Sequence, residues 1–252
     1  MSIVRDFAFR PWLFILFLLT IPIPAVAADA RALNVLIDSV FAANVEDGYV
    51  DYPAISRNVR FHKYIEALVD VDLSELTNDQ QKIAFWLNVY NTLAVKNVID
   101  GVTPVTRIGR IKFFRTADHR VAGSSVDLNS IESTLLEFGD ARVRLAMVHG
   151  AYTAPNLRSG AYRADELDQQ LNDAVRNFVN DNRKNRYSDA LRRASLSELF
   201  ERHQDEFGGS DEAILVFIAQ YVNDKALAEA LASNRYEIKY LEYEWGINGH
   251  PM

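Results

Sequence analysis

The chain has 252 residues, of which 49% are hydrophobic and 24% charged, with a formal net charge of −7 and no cysteine. That length and balance suit one folded domain with a substantial core and exclude a disordered chain. The acidic excess argues against nucleic acid or anionic lipid as a partner, and the lack of thiols excludes a cysteine nucleophile, a thiolate metal ligand and a disulfide.

Arg5 and Arg10 precede an apolar run over 11–23, and Ala25-Val26-Ala27 follows as a small-residue cleavage site before Ala28. This is the layout of a secretory signal peptide over 1–27. The run is shorter than the roughly 20 residues a spanning helix needs, and no cysteine follows to carry a lipid. The expected location is periplasmic or secreted, with no stable membrane anchor after cleavage and retention of the run as an anchor the alternative. Removing 1–27 takes away one net positive charge and leaves −8 over a single globular domain, 28–252.

Helical spacing of Leu33, Leu36, Ile37, Val40 and Phe41 predicts a helix over 32–43, ending before Asp47-Gly48. Pro53 restricts Tyr52, so 49–53 reads as a short extended crossing. A second helix follows over 61–69. Thr77, with Gln80 three residues on, opens a long apolar helix in capping-box fashion, and Gly101 closes it. Residues 111–116 and 120–126 read as short strands, the latter a small hairpin broken at Gly123.

Residues 128–138 return to helix, and the compact apolar run 143–148 reads as a buried strand that hands over to a loop at His149 to Pro155. Asp165 is expected to cap a helix reaching Phe178, followed by a strand within 186–195. A helix over 196–207 is stopped by Gly208-Gly209, with another over 211–221. An alternating strand covers 236–240. The fold class is therefore α+β: a single domain with a mostly helical body packed on a small mixed or antiparallel sheet.

The long helix carries Asn88 and Asn91 three apart on one otherwise apolar face. Buried amides need partners, and an unsatisfied one costs about 1–3 kcal/mol. They either pin the helix to the 148–155 loop or line a ligand pocket.

Phe85-Trp86-Leu87-Asn88-Val89-Tyr90-Asn91 resembles the Phe-Trp-(Ile/Leu)-Asn-x-Tyr-Asn signature of the family called domain of unknown function 547. Further matches follow in order: Asp127-Leu128 with Ile131-Glu132, Pro155-Asn156-Leu157, Ala161-Tyr162, Leu167 to Leu171, Ser197 with Phe200 and Glu206-Phe207, and Tyr243-Glu244-Trp245. The resemblance extends over most of 48–248 and implies no established reaction. Many members carry two cysteines near the central loop, where this chain has His149 and Ala154, and a histidine where it has Ser133. Chemistry built on that Cys and His pair is absent here.

The residues support several readings. A neutral imidazole at His149 can act as acid or base near pH 7, and the resemblance places Glu132 near it, so the pair could serve a hydrolase or transferase. The blander reading is that His149 fills a gap left by a cysteine. Tyr90 and Tyr152, with Trp86, either wall a ligand or sit in the core, and Arg158 binds an anionic group or pairs with a carboxylate. No two-histidine metal spacing occurs, and neither a Gly-x-Ser-x-Gly elbow nor a nucleotide loop is present, so no metal or cofactor is expected. The favoured expectation is a non-catalytic envelope protein. It would bind a small molecule or protein partner in a cleft near His149 through Asn88, Asn91, Tyr90, Tyr152 and Arg158. An assembly protein of the envelope is a third reading, which a broad exposed apolar patch would favour.

Overall fold

The structure is a computed structural model that describes residues 29–249. The expected signal peptide lies outside the described residues. Helix α1 (Ala30–Asn44) buries Leu33, Ile37, Val40 and Phe41 along one side. A two-residue hairpin follows, β1 (Val45–Glu46) with β2 (Tyr49–Val50), turning through Asp47 and Gly48, both at positive φ. A Cβ on Gly48 would lie 2.3 Å from the Asn156 side chain, so both backbone twist and space require glycine there.

The expected extended crossing stops short. Asp51 caps α2 (Tyr52–Ser56) by accepting from the Ala54 N–H, and Pro53 sits in the first turn, where its missing N–H costs nothing. Tyr52 is thus helical. Helix α3 (Val59–Leu68) buries Phe61, Tyr64 and Leu68. The long helix α4 (Asp79–Ile99) is capped one residue later than the spacing suggested: Asn78 accepts from Gln81 N–H, and Gln81 Oε1 reaches back to Thr77 N–H.

Two expected strands are helical instead. Residues 107–116 form α5 (Arg107–Ile111) and a π-helical turn (Lys112–Thr116). Asn97 Nδ2 donates to the Phe113 carbonyl at 3.0 Å, which ties this turn to α4. The hairpin β3 (His119–Val121) and β4 (Ser124–Val126) follows, then α6 (Leu128–Leu136), opened by a reciprocal Asp127 and Ser130 cap. The run 143–148 begins as a 3-10 turn (Ala141–Leu145) under an Asp140 cap. Its apolar residues are buried, as expected of a central strand, and burial alone does not separate strand from turn.

Helix α7 (Leu167–Val179) has Glu166 at its N-cap with no side-chain cap bond, so Asp165 does not cap it. Strands β5 (Arg186–Ser188) and β6 (Arg193–Ser197) pair antiparallel. After β6 come α8 (Glu198–Arg202), a 3-10 turn (Gln204–Phe207), α9 (Asp211–Ala219) and α10 (Lys225–Ala232), the last not foreseen. Strand β7 (Glu237–Leu241) then pairs parallel with β6, which makes a three-stranded mixed sheet of order β5-β6-β7. The α+β class holds, with three small sheets among the described residues.

Two apolar clusters form the interior. One gathers α1, α3, α4 and α6, and the other gathers the mixed sheet with α8 to α10. Helix α7 belongs to both, giving Leu167 and Leu171 to the first and Val175, Phe178 and Val179 to the second. The 3-10 turn at Ala141–Leu145 divides likewise, with Val143 in the first and Leu145 in the second. Between them lies Arg144, only 1% exposed. The C-terminal segment returns over this seam: Tyr152 N–H donates to the Gly246 carbonyl at 2.6 Å, and Ala151 bridges Ile247.

Candidate functional site

Where the seam opens to the surface there is a cavity of about 300 Å³, lined by both Glu132 and His149 together with Arg144, Arg202, Tyr243 and Trp245. Four stretches of the chain bring these side chains together. Helix α6 supplies Glu132, the 3-10 turn Ala141–Leu145 and the residues just after it supply Arg144 and His149, α8 supplies Arg202, and the returning C-terminal segment supplies Tyr243 and Trp245.

His149 is held by its surroundings on all sides. Gly150 follows it at φ +63, and a Cβ there would stand 3.0 Å from Val98 Cγ2, so the chain turns beneath the imidazole only because that residue is glycine. Phe114 meets the ring edge-on at 5.4 Å between centroids. The Nδ1 atom is 2.9 Å from the Tyr243 hydroxyl. Burial drives the Tyr243 phenol pKa up, so it keeps its proton, and among the described residues His149 is the acceptor within reach. Tyr243 therefore donates to Nδ1, and the ring proton resides on Nε2. Nε2 is covered and has no partner in the protein. Burial first, then the charges of Arg144, His203 and Arg202, lowers the His149 pKa to about 3.

Glu132 takes a different partner. Arg144 Nη1 donates to Glu132 Oε1 at 2.7 Å, while its Nε and Nη2 form a fork on Glu206 at 2.8 and 2.6 Å. His203 Nδ1 adds a contact to Glu206 at 3.2 Å. Burial raises the Glu206 carboxyl, but the bonds from His203 and Arg144 outweigh it and hold the group down at about 2. Glu132 and His149 thus face one cavity, each bonded to a third residue.

The two asparagines serve the scaffold. Asn91 Nδ2 donates to Ala146 O and its Oδ1 accepts from Val148 N–H, both at 3.0 Å. Asn88 Nδ2 donates to Tyr162 O and Asn34 Oδ1, and Asn88 Oδ1 accepts from Tyr162 N–H. Each amide is satisfied by protein at both ends. Asn91 holds the irregular backbone before His149, while Asn88 holds the segment at Tyr162 rather than the 148–155 loop.

Tyr90 is fully buried with an unpartnered hydroxyl, raised well above the usual phenol pKa by burial and then by Glu132; it stands behind the cavity without lining it. Tyr152 lies apart, tilted against Tyr49 at 6.4 Å between ring centroids, with the Arg183 guanidinium over both rings. Arg158 lines a second cavity of about 570 Å³ with Asn156, Arg176, Asn180 and Arg183, and its covered Nε has no partner. Ser133 bonds its own helix at Asn129 O. Among the described residues no cluster of three His, Asp or Glu side chains is placed to hold a metal ion.

Arg144 and Arg202 escaped the sequence reading, as did the bond from Arg144 to Glu206, a residue read there only as part of the family match. One signal was present: an arginine inside the apolar run 143–148 must be buried with its counterions. Its partners could not be read, because Glu206 is 62 residues away.

Residues 73–179 match the family model described as a protein of unknown function, DUF547. No curated protein and no solved structure matches the chain. The matched stretch contains α4, Glu132, Arg144 and His149, whereas Arg202, Glu206, Tyr243 and Trp245 lie beyond it. Over 73–179, then, with Phe85 to Asn91 near its start, the chain resembles the DUF547 family, whose function is unknown.

Proposed function

We propose that the chain is an exported protein that binds a small planar molecule in the His149 cavity and does not transform it. The observation that carries this reading is the state of His149: a neutral imidazole in a ring-lined cavity, with its pKa lowered to about 3 and its Nε2–H unmatched. A base that weak removes few protons near neutral pH, but a buried donor without an acceptor favours a ligand that brings one. Phe114, Tyr243 and Trp245 offer apolar faces, and Arg115 and Arg202 stand at the wall as cations. A flat molecule bearing a carboxylate or sulfonate suits that lining. Export rests on the leader layout at 1–27.

The experiment uses an aromatic sulfonate, 1-anilinonaphthalene-8-sulfonate, as the probe. Saturable one-site binding that Trp245→Ala and His149→Phe each weaken supports the reading. The competing reading is a hydrolase or transferase acting through His149 and Glu132, and their presence in one cavity is the observation in its favour. A turnover of ester or amide substrates that vanishes in folded His149→Ala protein would establish that rival.

A further inference from the structure

The segment from Gly101 to Ala117 carries Arg107, Arg110, Lys112 and Arg115 and no acidic residue, in a chain whose net charge is −7. It also carries Val105, Ile108 and Ile111, which are 48%, 69% and 57% exposed. The other large exposed apolar residues described are scattered, so these three concentrate the apolar surface at one place. They are spaced three apart, which sets Ile108 and Ile111 on one side of α5. A folded protein has little reason to present isoleucines among unpaired bases to water alone.

The segment is held firmly from beneath. Phe113 is buried, its carbonyl takes the Asn97 amide, and Phe114 packs against His149 and Trp245. Arg110 lies over the Trp245 ring at 4.7 Å and donates to Pro104 O. Arg107, Lys112 and Arg115 are exposed and make no ion pair among the described residues. Apolar tips flanked by uncommitted cations, on a rigid base, match an anionic lipid surface: the isoleucines enter the headgroup boundary and the bases meet phosphate.

We infer that Val105 to Arg115 is a peripheral docking surface for anionic glycerophospholipid membranes, set beside the mouth of the His149 cavity. The acidic total does not prevent this, because charges more than about 8 Å from the contact are largely screened at physiological salt. Docking of this kind is reversible and is no anchor. Phe114 and Arg115 also line the cavity, so a docked molecule turns that opening towards the lipid. The inference is independent of what the cavity holds.

The lack of cysteine allows a local test on the full chain. Ile108→Cys is labelled with an environment-sensitive fluorophore, and Val59→Cys, exposed on α3, serves as the reference position. Phosphatidylcholine vesicles with and without phosphatidylglycerol are then added. The expected result is a blue shift at position 108 only with phosphatidylglycerol, reversed by salt and absent at position 59. Adding Arg107→Gln and Lys112→Gln raises the lipid needed roughly thirtyfold. The inference is overturned by an unchanged signal at 108, an equal response to pure phosphatidylcholine, or an equal shift at 59. Indifference to the two glutamines overturns it as well, and so does a response to heparin but not to vesicles.

Discussion

Asn91 stands to Val148 as a neighbouring strand would: its Oδ1 accepts from the Val148 N–H, and its Nδ2 donates to Ala146 O two residues earlier. One side chain thereby pairs a buried stretch that belongs to no sheet. Replacing it with alanine leaves a buried donor and a buried acceptor unmet, at about 1–3 kcal/mol each. Asn91→Ala is expected to lose about 3 kcal/mol in urea unfolding. Asn91→Asp should be similarly damaging, because its second oxygen faces a carbonyl. Full stability in either variant would remove the clamp from the account.

The Arg144 fork leads to a prediction about charge removal. Arg144→Met strands Glu132 and Glu206 beside an apolar seam, at a cost of roughly 3–5 kcal/mol. Glu132→Gln, Glu206→Gln and Arg144→Met combined should recover much of that loss, since no unpaired charge then remains. A triple variant as unstable as the single one would count against the pair as the cause.

Acid stability should fall in two stages. His149 in the folded protein titrates near 3 against about 6.5 when unfolded, so the unfolded chain binds the extra proton between these values. Stability is therefore full above about pH 6.5 and declines as pH drops towards 3, by on the order of 5 kcal/mol. Glu206, held at about 2 against an ordinary 4.5, adds a second loss as pH falls from 4.5 to 2. His149→Phe should remove the first stage and leave the second. Nitrogen chemical shifts of His149 that report a cation at pH 5 would contradict the assignment.

Gly150→Ala tests two causes separately. The left-handed backbone costs an alanine about 1–2 kcal/mol, and its methyl presses on Val98. Adding Val98→Ala should relieve only the second part, visible as partial recovery of the melting temperature.

Much of the helical body was legible because amphipathic spacing is local: Leu33 to Phe41, Leu128 to Leu135 and Leu167 to Phe178 each mark one buried face. The failures are also physical. Residues 143–148 and 111–116 are stretches too short for periodicity to separate strand from helix, and the bonds that fix them come from Asn91 and Asn97 on α4. Tyr52 was misread because proline is as acceptable in a first helical turn as after an extended residue. In the site, Asn88 and Asn91 could be recognised as groups needing partners. The pairing of His149 with Tyr243 could not, since 94 residues separate them.

Because Glu132 on α6 and Glu206 on the 3-10 turn after α8 grip the same flat guanidinium, the separation of those two elements is a built dimension, not an adjustable one. Arg144 works as a spacer bolt: the two elements cannot spread without baring a carboxylate, nor close past the thickness of the group between them. Lengthening or shortening that bolt would shift α6 against the turn after α8.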